Sequence, residues 1–225
     1  MSTQSKWIEY LKSVDGPTLA NGIELLKRRP HHEGFTPLGV RCLFPEFGRM
    51  AGYAVTAHVE TVTQQEPLDL NQFIELYRLV EASPKPAVIA FQEIGGYPDL
   101  AAHCGEVMAS IFTRLGAVGL VSDCGVRDIP EVHKLGFHYF ARGVVVSHAH
   151  FRIAHVGSPI QIHGMVVKPG DLLFGDQNGV LLIPPDCEEE LPRAVESVRE
   201  REGKLLDFVR SDKFTLDGLK NMVVE

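Results

Sequence analysis

Glu106 and the pair Arg127-Asp128 are separated by twenty intervening residues, and the segment between them is patterned as one helix and one buried strand. Carboxylates are the hard oxygen ligands that Mg²⁺ or Mn²⁺ prefers, and such an ion takes one or two of them while keeping several waters. The guanidinium of Arg127 is a planar fork that matches a substrate carboxylate. Asp123 and Glu93 are further acids in the same stretch. The first amides of a helix beginning at Glu106, those of Glu106, Val107 and Met108, favour an anion. Taken singly, each feature has a plain structural reading: a Glu at a helix start is a favourable dipole partner, and an Arg-Asp pair is commonly a surface ion pair. Placed together, they suit a small anionic substrate, a divalent cation and a charge stabiliser.

The chain must return to one place for this to happen. Ala87-Val88-Ile89-Ala90-Phe91 is a continuous apolar run after Pro86, the pattern of a strand buried on both faces. Gly95-Gly96 marks a loop. A helix from about Glu106 to Leu115 follows, with Val107, Met108, Ile111, Phe112 and Leu115 on one face and Gly116 as its stop. Val118-Gly119-Leu120-Val121 is a second buried strand. Such a strand–helix–strand unit makes parallel strands with a right-handed crossover. The helix then starts at the C-terminal edge of the sheet and runs roughly 15 Å away over about ten residues. The next strand brings Ser122 to Asp128 back to that edge, where open α/β sheets bind ligands.

Other elements surround this unit. Trp7, Ile8, Leu11 and Val14 have helical spacing, Asp15-Gly16-Pro17-Thr18 interrupts it, and a second helix runs through Leu19, Ile23, Leu25 and Leu26. Residues 30–50 predict an irregular excursion, Ala51 to Val62 a strand, and Leu68 to Leu79 a helix. A short helix through Val132 and Leu135 ends at Gly136, with strands at Phe137–Ala141 and Gly143–Ser147. From Ile160 the pattern is β-rich: Ile162 to Val167, a Pro169-Gly170 turn, Leu172 to Phe174, and an Asn178-Gly179 hairpin into Val180 to Ile183. An amphipathic helix from about Pro185 to Val209 closes the core. The expectation is one α/β domain over residues 1–225, with helical N- and C-terminal ends packed on a partly parallel central sheet.

Composition narrows the function. The 225 residues can bury a proper core, and a net charge of −7 without clustered Lys and Arg argues against a nucleic-acid partner. The short basic run Lys27-Arg28-Arg29 falls at a helix C-terminus, where cations are favourable. No signal-peptide pattern opens the chain and no apolar stretch approaches about 18 residues, so a cytoplasmic protein without a membrane partner is expected. Cys42, Cys104, Cys124 and Cys187 form no CxxC pair and are expected as free thiols. His31-His32 and His148-x-His150 lack a third ligand at zinc spacing, although His148 and His150 would share a face of an extended segment. His103, just before the helix, is placed to touch a substrate. Lys168 adjoins a tight turn and is expected to be solvated. No GxSxG, P-loop or GxGxxG occurs, which disfavours serine hydrolases, NTPases and dinucleotide enzymes.

The stretch Gly105-Glu106 … Gly119-Leu120-Val121-Ser122-Asp123-Cys124-Gly125-Val126-Arg127-Asp128, with Phe140-Ala141-Arg142-Gly143 and Val166-Val167-Lys168-Pro169-Gly170-Asp171-Leu172-Leu173-Phe174-Gly175-Asp176-Gln177-Asn178-Gly179-Val180, resembles the family of the regulator of ribonuclease activity A, the RraA-like family. That family includes 4-hydroxy-4-methyl-2-oxoglutarate aldolases, and the resemblance covers roughly residues 15–200. It implies an α/β/α sandwich assembled as a homotrimer or hexamer, with sites near subunit boundaries. It implies that Arg127 binds the pyruvyl carboxylate and that Asp128 holds Mg²⁺ (or Mn²⁺), partly through water. The resemblance further implies that Glu106 is the acidic member at the metal, orienting metal-bound water, and that Gly105 with the amides of Val107 and Met108 cradles the substrate carboxylate. The activity implied is a metal-dependent lyase that cleaves 4-hydroxy-2-oxo acids to pyruvate and decarboxylates oxaloacetate. The rival reading is a non-catalytic regulator that binds a ribonuclease or helicase through an acidic surface. A lyase for another 2-oxo acid, such as a sugar-acid derivative, would share the site. Two departures are visible: Asn21 stands where members often carry Asp, and residues 144–159 match the family pattern poorly.

Overall fold

The computed structural model describes residues 3–62 and 69–224. Two helices open the chain, α1 (Thr3–Ser13) and α2 (Gly16–Leu26). Asp15 caps α2: its carboxylate accepts the Thr18 N–H at 3.0 Å, and Pro17 occupies the first turn, where a missing N–H costs nothing. The excursion that follows holds only a short strand, β1 (Arg41–Cys42), and a 3₁₀ turn at Pro45–Phe47.

Next come β2 (Met50–Val62), α3 (Leu70–Ala82), β3 (Ala87–Glu93), α4 (Glu106–Arg114), β4 (Ala117–Ser122), β5 (Gly125–Val126), α5 (Ile129–Lys134), β6 (His138–Ala141) and β7 (Gly143–Val144). The last third contributes β8 (His150–Val156), β9 (Ile160–Ile162), β10 (Met165–Val167), β11 (Leu172–Asp176), β12 (Gly179–Ile183), α6 (Leu191–Arg210) and α7 (Leu216–Val224). The main sheet runs β1-β6-β4-β3-β2-β11-β12, with β8 also on β2. β2, β3, β4 and β6 are mutually parallel and β12 shares their direction, while β1, β8 and β11 run against them. β2 is long enough to take two partners on one edge: β11 pairs with residues 50–53 and β8 with residues 57–62.

The pleat of β2 distributes the core. Ala51 and Tyr53 pack with α1, α2 and α6, while Val55, Ala57 and Val59, of the same parity, pack with α3, α4 and α5. Met50 and Ala54 point the other way, into a cluster with Val88, Ala90 and Phe140. The β9–β10 hairpin covers that face with Ile160, Ile162, Met165 and Val167. Gly119 lets this layer close, because a Cβ there would lie 2.4 Å from Met50 Sδ. The result is one mixed α/β domain around a nearly closed sheet.

The strand–helix–strand unit forms as its pattern predicts, with β3 and β4 parallel and Gly116 at φ 86° after α4. Several boundaries differ. The segment 162–167 is not one strand but the hairpin β9–β10, turned by His163 (φ 46°) and Gly164 (φ 95°), because two left-handed residues in a row reverse a strand. The strand expected over 143–147 stops at Val144. The closing helix begins at Leu191 rather than Pro185, and α7 follows it beyond a break at Ser211. Strand β8 is not among the expected strands; its burial does not alternate cleanly, which leaves a weak local signal. The predicted helix from Leu68 begins at Leu70, and Leu68 itself lies outside the described residues. Among the described residues no helix is long and apolar enough to cross a membrane, and the four cysteines are free thiols.

Candidate functional site

Because β3 and β4 are parallel, Glu93 and Ser122 end at the same sheet edge, and α4 starts there. The loops after these strands are stitched by backbone bonds: His103 N–H donates to Gly125 O at 2.9 Å and Arg127 N–H to Cys104 O at 3.0 Å. That pairing sets Arg127 and Asp128 against the first turn of α4. Asp128 sits at the N-terminus of α5 in a left-handed conformation (φ 59°); its carbonyl accepts the Val132 N–H at 2.9 Å, but its side chain makes no bond to that helix. Its Oδ2 instead accepts the backbone N–H of Glu106 at 2.8 Å, capping α4 from across the site. Arg127 Nε stands 3.6 Å from the same oxygen, and both side chains are about one third exposed. Gly105 is needed here for closeness rather than for dihedral freedom. A Cβ on it would lie 2.4 Å from Asp128 Oδ2 and 3.0 Å from Arg127 Nε.

A cavity of about 210 Å³ opens at this point, bordered on one side by Gly105, Val107, Met108, Arg127 and Asp128. The opposite wall is Phe73 of α3 with His148, just before β8, and His150 and Phe151 at its start. Of the residues singled out from sequence, Arg127, Asp128, Gly105, Val107 and Met108 meet at this cavity. Glu106 brings its amide, while its side chain is exposed and does not line the wall. The amides of Val107 and Met108 belong to the first turn and have no intrahelical acceptor.

His103 forms part of the cavity's back wall and is fully buried. Its Nε2 lies 2.8 Å from Glu93 Oε2 and its Nδ1 3.3 Å from Ser122 Oγ. Glu93 also accepts the Thr61 hydroxyl at 2.6 Å and the Gly95 N–H at 2.6 Å. Burial alone would raise the Glu93 carboxyl, but the bonds from His103 and Thr61 outweigh it and hold the group below the usual carboxylate range. Asp123, whose Oδ1 accepts the Glu93 N–H at 2.7 Å, goes the other way. Desolvation, reinforced by the charge of Glu93, pushes it up to about 7. Burial likewise pushes the Cys104 and Cys124 thiols up to about 12, so neither is a ready nucleophile.

Glu93, His103 and Cys124 place three potential metal-ligating atoms within 4.8 Å of one another. Two of those atoms already share a 2.8 Å hydrogen bond, and the Cys124 thiol donates to Ala101 O at 3.0 Å. A cation there would have to displace both bonds and ionise a thiol held well above neutral pH. The donor set at Asp128 is a simpler match for a hard divalent ion, because one half-buried carboxylate suffices for an ion that keeps most of its waters.

The remaining candidates lie elsewhere. Lys168 is exposed in its turn, where its N–H donates to Asp171 Oδ2 at 2.7 Å. Asp176, buried, accepts the Gly16 N–H at 2.7 Å and the Asn178 N–H at 2.8 Å, so the PGD…D segment serves the backbone. His31 and His32 are exposed beside Glu24 and Glu33. Asn21 donates to Glu202 of α6 at 3.1 Å, a partner that an Asp would repel. His148 and His150 had only their alternation to mark them. Their place on the cavity wall follows from the pairing of β8 with β2, which local pattern did not announce.

A mixed sheet with helices packed on it carries a small cavity at its parallel strands' C-terminal edge, the edge at which open α/β sheets commonly bind ligands. Residues 19–182 match the model of the RraA-like family, Aldolase/RraA, and the chain belongs to that family. Among curated relatives, it is 32% identical over 118 residues to a Halalkalibacterium halodurans protein named "Putative 4-hydroxy-4-methyl-2-oxoglutarate aldolase", a match covering 52% of this chain and 54% of that one. It is 27% identical over 134 residues to Protein DlpA of Legionella pneumophila, covering 59% of this chain and 22% of the other. The chain thus spans about half or less of the length of these relatives. Among solved structures, RraAS2 of Streptomyces coelicolor, described as an unusual member of the RNase ES inhibitor RraA protein family, superposes with a TM-score of 0.70 at 21% identity, covering 88% of this chain and 94% of that one. At that identity the likeness speaks for the fold.

Proposed function

We propose that this protein is a divalent-metal-dependent carbon–carbon lyase that releases pyruvate from 4-hydroxy-2-oxo acids such as 4-hydroxy-4-methyl-2-oxoglutarate, and that it also decarboxylates oxaloacetate. The observation that carries this reading is the meeting of Arg127, Asp128 and the first turn of α4 at one cavity. The relative from Halalkalibacterium halodurans, by its name, supports the same chemistry.

The substrate's 1-carboxylate pairs with the Arg127 guanidinium and takes the amides of Val107 and Met108. Asp128 would hold Mg²⁺ or Mn²⁺, and the bound ion would supply Lewis-acid chemistry. Asp128 is itself kept in place by the Glu106 N–H, so its free oxygen is presented at a defined position. When the C3–C4 bond breaks, its electron pair moves into the C2–C3 enolate and the C4 hydroxyl becomes a carbonyl by losing its proton. Arg127 offsets the negative charge that develops on the pyruvyl half. Glu106, exposed beside the cavity, accepts the C4 hydroxyl proton through solvent. Oxaloacetate gives the same enolate by losing CO₂, so the two activities share one apparatus. Val107, 72% exposed at the cavity's edge, and Val146, 92% exposed, leave apolar surface that a homotrimer or hexamer would cover.

Pyruvate release from oxaloacetate with Mg²⁺ or Mn²⁺, repeated with chelator, tests the reading. Turnover is expected only with the ion, and equal rates under both conditions reject a metal lyase.

A further inference from the structure

His148 and His150 line the same cavity as Arg127 and Asp128, yet the reaction above gives them nothing to do. Their placement is built rather than incidental. His150 begins β8, where it pairs with Val62 of β2, and the next residue, Phe151, pairs with Thr61. The Phe151 ring lies against three others: His148 at 6.5 Å, His103 at 5.6 Å and Phe73 at 5.9 Å between centroids. One imidazole of the rim is thereby packed against the wall. Ala149, between the two histidines, is left-handed at φ 46°, a conformation that side chains other than glycine rarely adopt. Asp128, across the cavity, is left-handed as well, so two of the five non-glycine residues with positive φ among the described residues border this one space. Strained backbone concentrated at a cavity is the pattern of a ligand clamp.

The chemistry of the rim is specific. His148 Nδ1 lies against the Ala149 carbonyl oxygen, which only accepts, so Nδ1 carries the hydrogen and Nε2 remains for a ligand. An imidazolium donates from both ring nitrogens, the form in which a histidine pairs with a carboxylate. The walls between the two ends are apolar: Phe73, Phe151, Met108 and Val107. A volume of about 210 Å³ equals roughly seven water volumes, enough for a five- or six-carbon acid.

We propose that His148 and His150 bind the second carboxylate of a dicarboxylic 2-oxo acid whose first carboxylate sits on Arg127. They are specificity-determining residues, and the inference rests on reading the cavity as a 2-oxo-acid site. It assigns a task to the start of β8 and the residues just before it.

The test is a calorimetric titration of the full chain with Mg²⁺ present, using 2-oxoglutarate and 2-oxopentanoate, which has a methyl group in place of the second carboxylate. Wild type is expected to bind 2-oxoglutarate at least tenfold more tightly. The double variant His148→Ala/His150→Ala should lose most of that preference while its affinity for 2-oxopentanoate stays within about twofold. His148→Ala alone, at an exposed position, should lose part of it, so the test survives if the double variant fails to fold. No preference in wild type, or equal weakening for both ligands in the variants, overturns the proposal. The lyase reading fails separately. If no 4-hydroxy-2-oxo acid or oxaloacetate is turned over but the histidine-dependent preference holds, the lyase falls and this recognition stands. If turnover is seen and the preference survives both substitutions, the lyase stands and this recognition falls.

Discussion

Asp128 and Glu106 lie 22 positions apart in the chain, and the Oδ2 of the first accepts the backbone N–H of the second at 2.8 Å. This bond commits the side chain of one helix's N-terminal residue to the N-terminus of another. It fixes the carboxylate at the mouth of the cavity, and it requires that nothing stand between α4 and Asp128.

Gly105→Ala follows from that requirement. The added Cβ would meet Asp128 Oδ2 at 2.4 Å, which forces the carboxylate off the α4 terminus. The backbone at residue 105 has φ −137°, a conformation that alanine adopts freely, so the fold should survive. The expected outcome is a loss on the order of 100-fold in kcat/KM for pyruvate release, with thermal unfolding moved by only a few degrees. Full activity in this variant would separate the Asp128 position from turnover.

Removing the groups themselves should distinguish their tasks. Arg127→Ala is expected to raise KM and lower kcat for oxaloacetate, because the guanidinium holds the carboxylate and offsets the developing charge. Asp128→Asn should instead weaken Mg²⁺ binding, read by calorimetry without substrate. A regulator acting through an acidic surface would keep its protein partner after Arg127→Ala, so a pull-down of ribonuclease by both forms separates the two classes of function.

The buried pair behind the cavity predicts a stability effect. His103→Ala takes the Nε2 partner from a Glu93 carboxylate that is only 2% exposed. The remaining donors, Thr61 and Gly95, cannot fill the gap left by the ring. A cost of about 3 kcal/mol is expected in urea unfolding, since an ionised buried acid is left under-satisfied. A change below about 1 kcal/mol would show that this pair does not hold the loop.

Asp123 predicts a pH dependence. Its carboxyl is pushed up to about 7 in the folded protein by burial first and by the Glu93 charge second. A raised group contributes stability that is complete below its unfolded pKa, near 4, and is lost as pH rises through the folded value. Wild type should therefore lose stability from this group between about pH 4 and pH 7. Asp123→Asn keeps an acceptor for the Glu93 N–H and does not titrate. The difference between the two unfolding free energies should change by on the order of 2 kcal/mol across that window, after allowance for partial exposure. Parallel pH profiles would contradict the shift.

The sequence alone determined the βαβ unit, because apolar runs such as 87–91 and the 3.6-residue spacing of α4 are local signals that burial enforces. It also determined that Arg127, Asp128 and the first turn of α4 share one edge, since parallel strands leave the crossover no other return. Only the tertiary structure decided that the Glu106 amide holds Asp128 while its side chain stays off the cavity wall, because a helix start constrains the backbone and leaves the side chain free to face solvent. It alone decided that the β9–β10 hairpin covers one face of the sheet and that β8 brings His148 and His150 to the cavity. Those placements come from pairing across long stretches of chain, as between Val62 and His150, and no spacing of neighbours along the sequence encodes such a pairing.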